Sequence, residues 1–165
     1  MLSICRAKSR FNLVATFAVL LAVVSQAGFS LAAEPTRRFI AADSSKSRVA
    51  IIDEAGKTEW EFKIGPLHDL HVLPGGNVLL QPSWTEVAEV DPKNDQVVWH
   101  YDAKQRPENE GKRLEIHAFQ RLADGRTMVV ESGPGNVIEL DKDLHVVHSM
   151  ALRVTRPDAH RDTRL

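Results

Sequence analysis

The sequence predicts an all-β protein in which one short antiparallel sheet recurs along the chain, preceded by an N-terminal signal helix. Two observations carry this reading. The same residue pattern returns after 49 or 50 positions, and no window beyond the first 33 residues holds a helical period. A third observation sets those first 33 residues apart: a basic head, a short apolar run and a small-residue exit.

Residues 1–33 have the three parts of a secretory signal. Arg6, Lys8 and Arg10 form the head, and Leu13–Val24 is apolar except for Thr16. Ser30, Leu31, Ala32 and Ala33 precede the first acid, Glu34. The run is shorter than the roughly 20 residues of a membrane span, so cleavage near Ala32 or Ala33 is expected. An uncleaved signal would instead hold the domain at the membrane's outer face. The expected location is periplasmic or extracellular.

The mature chain, 34–165, then reads as blades. The partial unit 38–62 holds the strand Arg38–Ala42, the strand Val49–Asp53, a turn at Gly56, and Thr58-Glu-Trp60-Glu-Phe62. The unit 68–101 opens on His68, with Leu73 five positions on and Gly76 eight positions on. It continues through Val87-Ala-Glu-Val-Asp91 to Gln96-Val-Val-Trp99. The unit 117–150 repeats this: His117, Leu122, Gly125, Val137-Ile-Glu-Leu-Asp141 and His145-Val-Val-His148. A further unit starts at 160–165, where His160 again precedes a Leu, Leu165, by five. Val, Ile, Leu and aromatic residues fill the strands, and Pro74-Gly-Gly76 and Ala123-Asp-Gly125 supply the turns. Alternation along Val87–Asp91 and Val137–Asp141 predicts half-buried strands. The polar connection Asp102–Lys112, with Pro107, is expected to be an exposed and weakly ordered loop.

Units of this kind, three or four strands each, build β-propellers, which close with at least four blades. This chain supplies two whole units, a partial one and a stub, so about three blades of an incomplete propeller are expected. The remaining blades are expected to be missing from the chain, either because it is part of a longer protein or because it pairs with further chains.

These strands carry a resemblance. Leu73-Pro-Gly-Gly-Asn77-Val-Leu, then Val87-Ala-Glu-Val-Asp91-Pro, then Val97-Val-Trp99-His-Tyr101, resemble the quinoprotein-like (PQQ-like) propeller repeats across residues 37 to 165. A His just before the first of these strands is most similar to the arylsulfotransferase-like propellers. That resemblance implies that His68, His117 and His160 line the central channel, with Arg161 as an anion contact. It makes the three His residues candidates for catalysis as well as for ligand binding. A neutral imidazole can accept a phenol proton and a protonated one can hold sulfate oxygens, since His titrates near pH 6.5 in general. A blander role stays open, in which each His binds a neighbouring carbonyl and fixes a blade edge. Trp84 reads either as packing between blades or as a ligand platform.

Other chemistries find little support. Cys5 is the only cysteine and lies in the signal, which removes disulfides, thiolate metal sites and a cysteine nucleophile from the mature chain. Without the three signal cations, 18 basic residues face 22 acidic ones, so no basic face for nucleic acid arises. Asp53 with Trp60, and Asp91 with Trp99, resemble the blade-docking Asp and Trp of pyrroloquinoline-quinone enzymes, but without a vicinal cysteine pair no cofactor is expected. No metal is assigned either, because His68 with His71, and His145 with His148, lie three apart and fall on opposite faces of a strand. His100 is expected to be partly exposed. Ser132-Gly-Pro-Gly135 reads as a hairpin loop rather than a nucleophile elbow. The leading expectation is a non-enzymatic scaffold binding an unknown small ligand at its channel mouth. The alternatives are an arylsulfotransferase-like enzyme and an envelope assembly subunit that offers strand edges to another protein.

Overall fold

The computed structural model describes residues 37–153 and 158–160, all within the compact unit 36–165. The expected signal at 1–33, its cleavage site and Arg161 lie outside the described residues. Three antiparallel sheets follow one another. The first holds β1 (Phe39–Asp43), β2 (Arg48–Ile52) and β3 (Thr58–Lys63). The second holds β4 (Leu70–Val72), β5 (Val78–Leu80), β6 (Glu86–Asp91) and β7 (Gln96–Asp102). The third holds β8 (Glu115–Arg121), β9 (Thr127–Ser132), β10 (Asn136–Leu140) and β11 (Val146–Ala151). Each sheet is a simple meander. This is the all-β, incomplete propeller architecture that the repeats predict.

The repeats are also alike in backbone detail. Gly76 and Gly125 both have positive φ, near +90°, and both donate to a carbonyl three residues back, Leu73 and Leu122. The last strand of each sheet carries one extra residue at the same place. Ile51 pairs with Trp60 but Ile52 with Thr58; Glu89 pairs with Trp99 but Val90 with Val97; Glu139 pairs with His148 but Leu140 with Val146. Glu59, Val98 and Val147 are thus bulged residues. A bulge increases local twist, and its recurrence gives the three sheets a common curvature.

Packing explains why the units stand side by side. Val49, Ile51, Trp60 and Ile64 of the first sheet region pack with Val78, Leu80, Ala88 and Val90 of the second. Leu79, Val87 and Tyr101 turn the other way and pack with Ile116, Phe119, Val129, Ile138 and Leu140. The middle sheet is therefore covered on both faces. This corrects the half-buried reading of Val87–Asp91: Val87 and Ala88, adjacent and opposite, are both buried. Along β10 the alternation holds, with Ile138 and Leu140 inside. Polar links cross the same interfaces. Trp60 Nε1–H donates to Asp95 Oδ1 at 2.7 Å. Arg121 lies 5.0 Å over the Trp99 ring and reaches Glu89 Oε2 at 2.6 Å.

The connection 102–112 is exposed along most of its length, as expected, but it is not weakly ordered. It forms two 3₁₀ turns, Ala103–Gln105 and Pro107–Asn109, with Ala103 and Asn109 buried. The cause is Glu131, fully buried on β9. Its oxygens accept hydrogen bonds from Tyr101 Oη (2.5 Å), Asn109 Nδ2 (3.0 Å) and Arg106 Nη1 (2.6 Å). A buried carboxylate must be paired, and this one orders the loop that supplies its partners. Burial and the neighbouring Glu131 charge push the Tyr101 hydroxyl far above its usual range, so it stays a donor.

Candidate functional site

Three backbone constraints bring the second and third sheets together at the start of their first strands. His68 lies in the loop before β4, and its N–H donates to Gln81 Oε1 at 2.9 Å. Gln81 is fully buried and donates onward from Nε2 to the Ile116 carbonyl at 2.8 Å. The Ile116 N–H donates in turn to the Trp84 carbonyl at 2.7 Å. One buried amide therefore fixes His68, Trp84 and the start of β8 against one another. His117 follows at a β-bulge: Ile116 pairs with Glu131 and Ala118 with Val130, which leaves His117 out of the ladder. Bulges re-aim side chains, and here the imidazole turns toward His68.

The result is a cluster. The His68 and His117 rings are 4.5 Å apart, and His117 and His160 are 6.0 Å apart. Trp84 stands 5.0 Å from His68 and 6.2 Å from His160. Glu115 sits among them, with Oε2 at 3.1 Å from His117 Nε2 and 3.0 Å from His160 Nδ1. The His117 and Glu115 side chains are 4% and 12% exposed. His160 is 46% exposed, and His68 is exposed. Burial pushes the Glu115 carboxyl up, but hydrogen bonds from His160 and His117 outweigh it and hold the group below the ordinary carboxylate range. A cleft of about 360 Å³ lined by Ser44, Ser47, Gly65, Pro66, Leu67 and Trp84 adjoins the tryptophan.

Of the residues singled out from the sequence, His68, His117, His160 and Trp84 come together; Arg161 lies outside the described residues. Trp84 serves both readings, since its carbonyl ties the two sheets while its ring faces the imidazoles. His71 does not pair with His68: it turns to the Phe119 ring at 5.6 Å and to Asp69 Oδ2 at 3.0 Å. His145 contacts Asp141 at 3.1 Å, and His100 lies 3.3 Å from Glu86. The sequence reading missed Glu115, Gln81 and Glu131. Glu115 had a signal, because residues two apart on a strand share a face and His117 is two beyond it. Gln81 and Glu131 had another, a polar residue at the same place in two apolar strands 50 positions apart.

Residues 45–164 match the PQQ_2 family model, described as outer membrane protein assembly factor BamB. The chain belongs to this PQQ-like repeat family. No curated protein matches it. Among solved structures, dihydro-haem d1 dehydrogenase NirN is 24% identical, with a TM-score of 0.54 over 71% of this chain and 25% of its own. Streptogramin B lyase is 12% identical, with a TM-score of 0.54 over 70% of this chain and 37% of that one. Virginiamycin B lyase from Staphylococcus aureus is 9% identical, with a TM-score of 0.52 over 72% and 39%. These likenesses bear on the fold. The PQQ_2 chain spans between a quarter and just under half of the length of such structures. Among the described residues, no helix is long and apolar enough to cross a membrane.

Proposed function

We propose that this PQQ-like repeat protein is an exported binding scaffold whose small-ligand site is the cluster of His68, His117, His160 and Trp84. One observation carries the reading: the His68 and His160 rings both lie against Trp84, and the His117 ring stands 4.5 and 6.0 Å from those two imidazoles. Set at the starts of the first strands of two neighbouring sheets, the cluster would face the central channel of a closed propeller. In this reading the three sheets form part of a larger ring, in keeping with the share of each solved neighbour that they cover. Glu115 argues for a ligand that is cationic or donates hydrogen bonds. It argues against a sulfuryl group, which would meet a carboxylate, so the arylsulfotransferase-like alternative ranks lower. Assay of sulfuryl transfer from an aryl sulfate to a phenol, lost in His117→Ala, would reverse that ranking.

The binding reading is tested by NMR of the histidine ring carbons while small organic ligands are added. Ligands are expected to shift the His68 and His117 signals, and the shifts should vanish in Trp84→Ala. Hits confined to the outer strands β7 and β11 would defeat it.

A second reading is favoured by the family match itself. The model's description as an outer membrane assembly factor supports an envelope-associated, periplasmic role with a protein partner. The exposed Val97, Val98, Val147 and Met150 on β7 and β11 offer strand edges for such a partner. Photo-crosslinking from Met150 to an envelope β-protein, absent from a probe at Phe39, is the expected result.

A further inference from the structure

Resting on the ligand-site reading above, we propose that His68, Glu115 and His117 bind a divalent transition-metal ion of the zinc and cobalt class. One donor atom from each of the first three lies within 4.8 Å of the others. Donors held about 2.1 Å from one ion at tetrahedral angles stand roughly 3.4 Å apart. The contact from Glu115 Oε2 to His117 Nε2, at 3.1 Å, is close to that spacing. A bound metal would hold the same two atoms in place of a shared proton.

The donor set selects the ion. Imidazole nitrogens with one carboxylate suit zinc, cobalt, nickel and copper. Calcium takes six to eight oxygens and magnesium an octahedron of them, and a single carboxylate provides neither. Geometry adds a second reason. The His117 side chain is almost wholly buried and its Nε2 already faces the Glu115 carboxylate, so these two donors are held together before an ion arrives. His68 is exposed, so one side of the site opens to solvent for ion entry and for a further ligand. The turn acids Asp141 and Asp143 with His145 also fall within ligand distance. They are explained without an ion, because Asp141 Oδ1 accepts the N–H groups of Asp143 and His145 at 2.9 Å each.

The test is calorimetric titration of the full chain with zinc chloride near neutral pH, with cobalt chloride followed by its visible absorption and by quenching of Trp84 fluorescence. One equivalent should bind. Glu115→Gln and His117→Ala should each weaken binding roughly tenfold or more, while His145→Ala leaves it unchanged. His68→Ala, at an exposed position in the loop before β4, should show the same loss if His117→Ala fails to fold by circular dichroism. A folded wild type that binds no zinc, while organic ligands still shift its histidine signals, would overturn the metal and leave the ligand site standing. If neither binds, both readings fall. Zinc affinity unchanged in Glu115→Gln and His68→Ala would also overturn the proposal, as would affinity lost in His145→Ala.

Discussion

At the scale of single residues, two carboxylates divide the work. Glu131 is sealed inside the third sheet, with both oxygens held by Tyr101, Asn109 and Arg106. Removing one partner of a buried pair leaves an uncompensated charge, which costs about 3–5 kcal/mol. Arg106→Ala is expected to lower the urea-unfolding free energy by about 3 kcal/mol. Arg38→Ala, breaking the exposed pair with Glu59, should change it by less than about 1 kcal/mol. Glu115 is the other case, poised at the edge among imidazoles. Its folded carboxyl titrates below the ordinary value, so it stabilises the fold above the unfolded-state pKa of about 4.3. That contribution is lost as pH falls through the folded value. The stability difference between wild type and Glu115→Gln should therefore be constant near neutrality and shrink in acid, as measured by urea titrations at stepped pH.

At the scale of elements, turns and bulges decide what each strand can present. The last-strand bulges at Glu59, Val98 and Val147 recur in every sheet, while the bulge at His117 does not share their place and serves the cluster. Equivalent turn positions tolerate different residues: Gly56, Asp95 and Leu144 all have positive φ, although leucine pays a steric penalty there that glycine does not. Gly133 is more constrained. Its φ is +91°, and a Cβ there would stand 2.1 Å from the Arg113 carbonyl oxygen. Gly133→Ala must therefore move the approach to β8 as well as strain the hairpin. It should lose more than about 2 kcal/mol, whereas Gly56→Ala, with open space around its Cβ, should lose about 1 kcal/mol. Chemical denaturation of the two variants checks the ordering.

At the scale of the whole molecule, stability is shared between neighbours. The middle sheet belongs to two cores at once, through Val78 and Leu80 on one face and Leu79 on the other. Leu79→Ala should cost about 2–5 kcal/mol. Because Leu79 lies at the contact of the second and third sheets, it should also separate their unfolding. Hydrogen exchange is expected to show the first two sheets protected while β8–β11 open earlier. Uniform opening of all three sheets in that variant would mean the fold is not built from pairwise contacts.

The all-β class, the repeat and its period, and the histidines that head the units at 68, 117 and 160 were legible in the linear pattern, because period-two alternation and turn residues act locally. The ordering of loop 102–112 was not, since its polar composition gives no anchor until Glu131, distant in sequence, supplies Arg106 and Asn109 with a buried partner. Nor was the covering of both faces of β6, because a small Ala88 beside Val87 looks like ordinary alternation until a sheet stands on each side. The site divided in the same way. Sequence alone determined which histidines are equivalent. Only the tertiary structure decided that they meet around Glu115, because that meeting depends on Gln81 bridging two sheets and on a bulge that turns His117 out of its ladder, and neither is a property of any one segment.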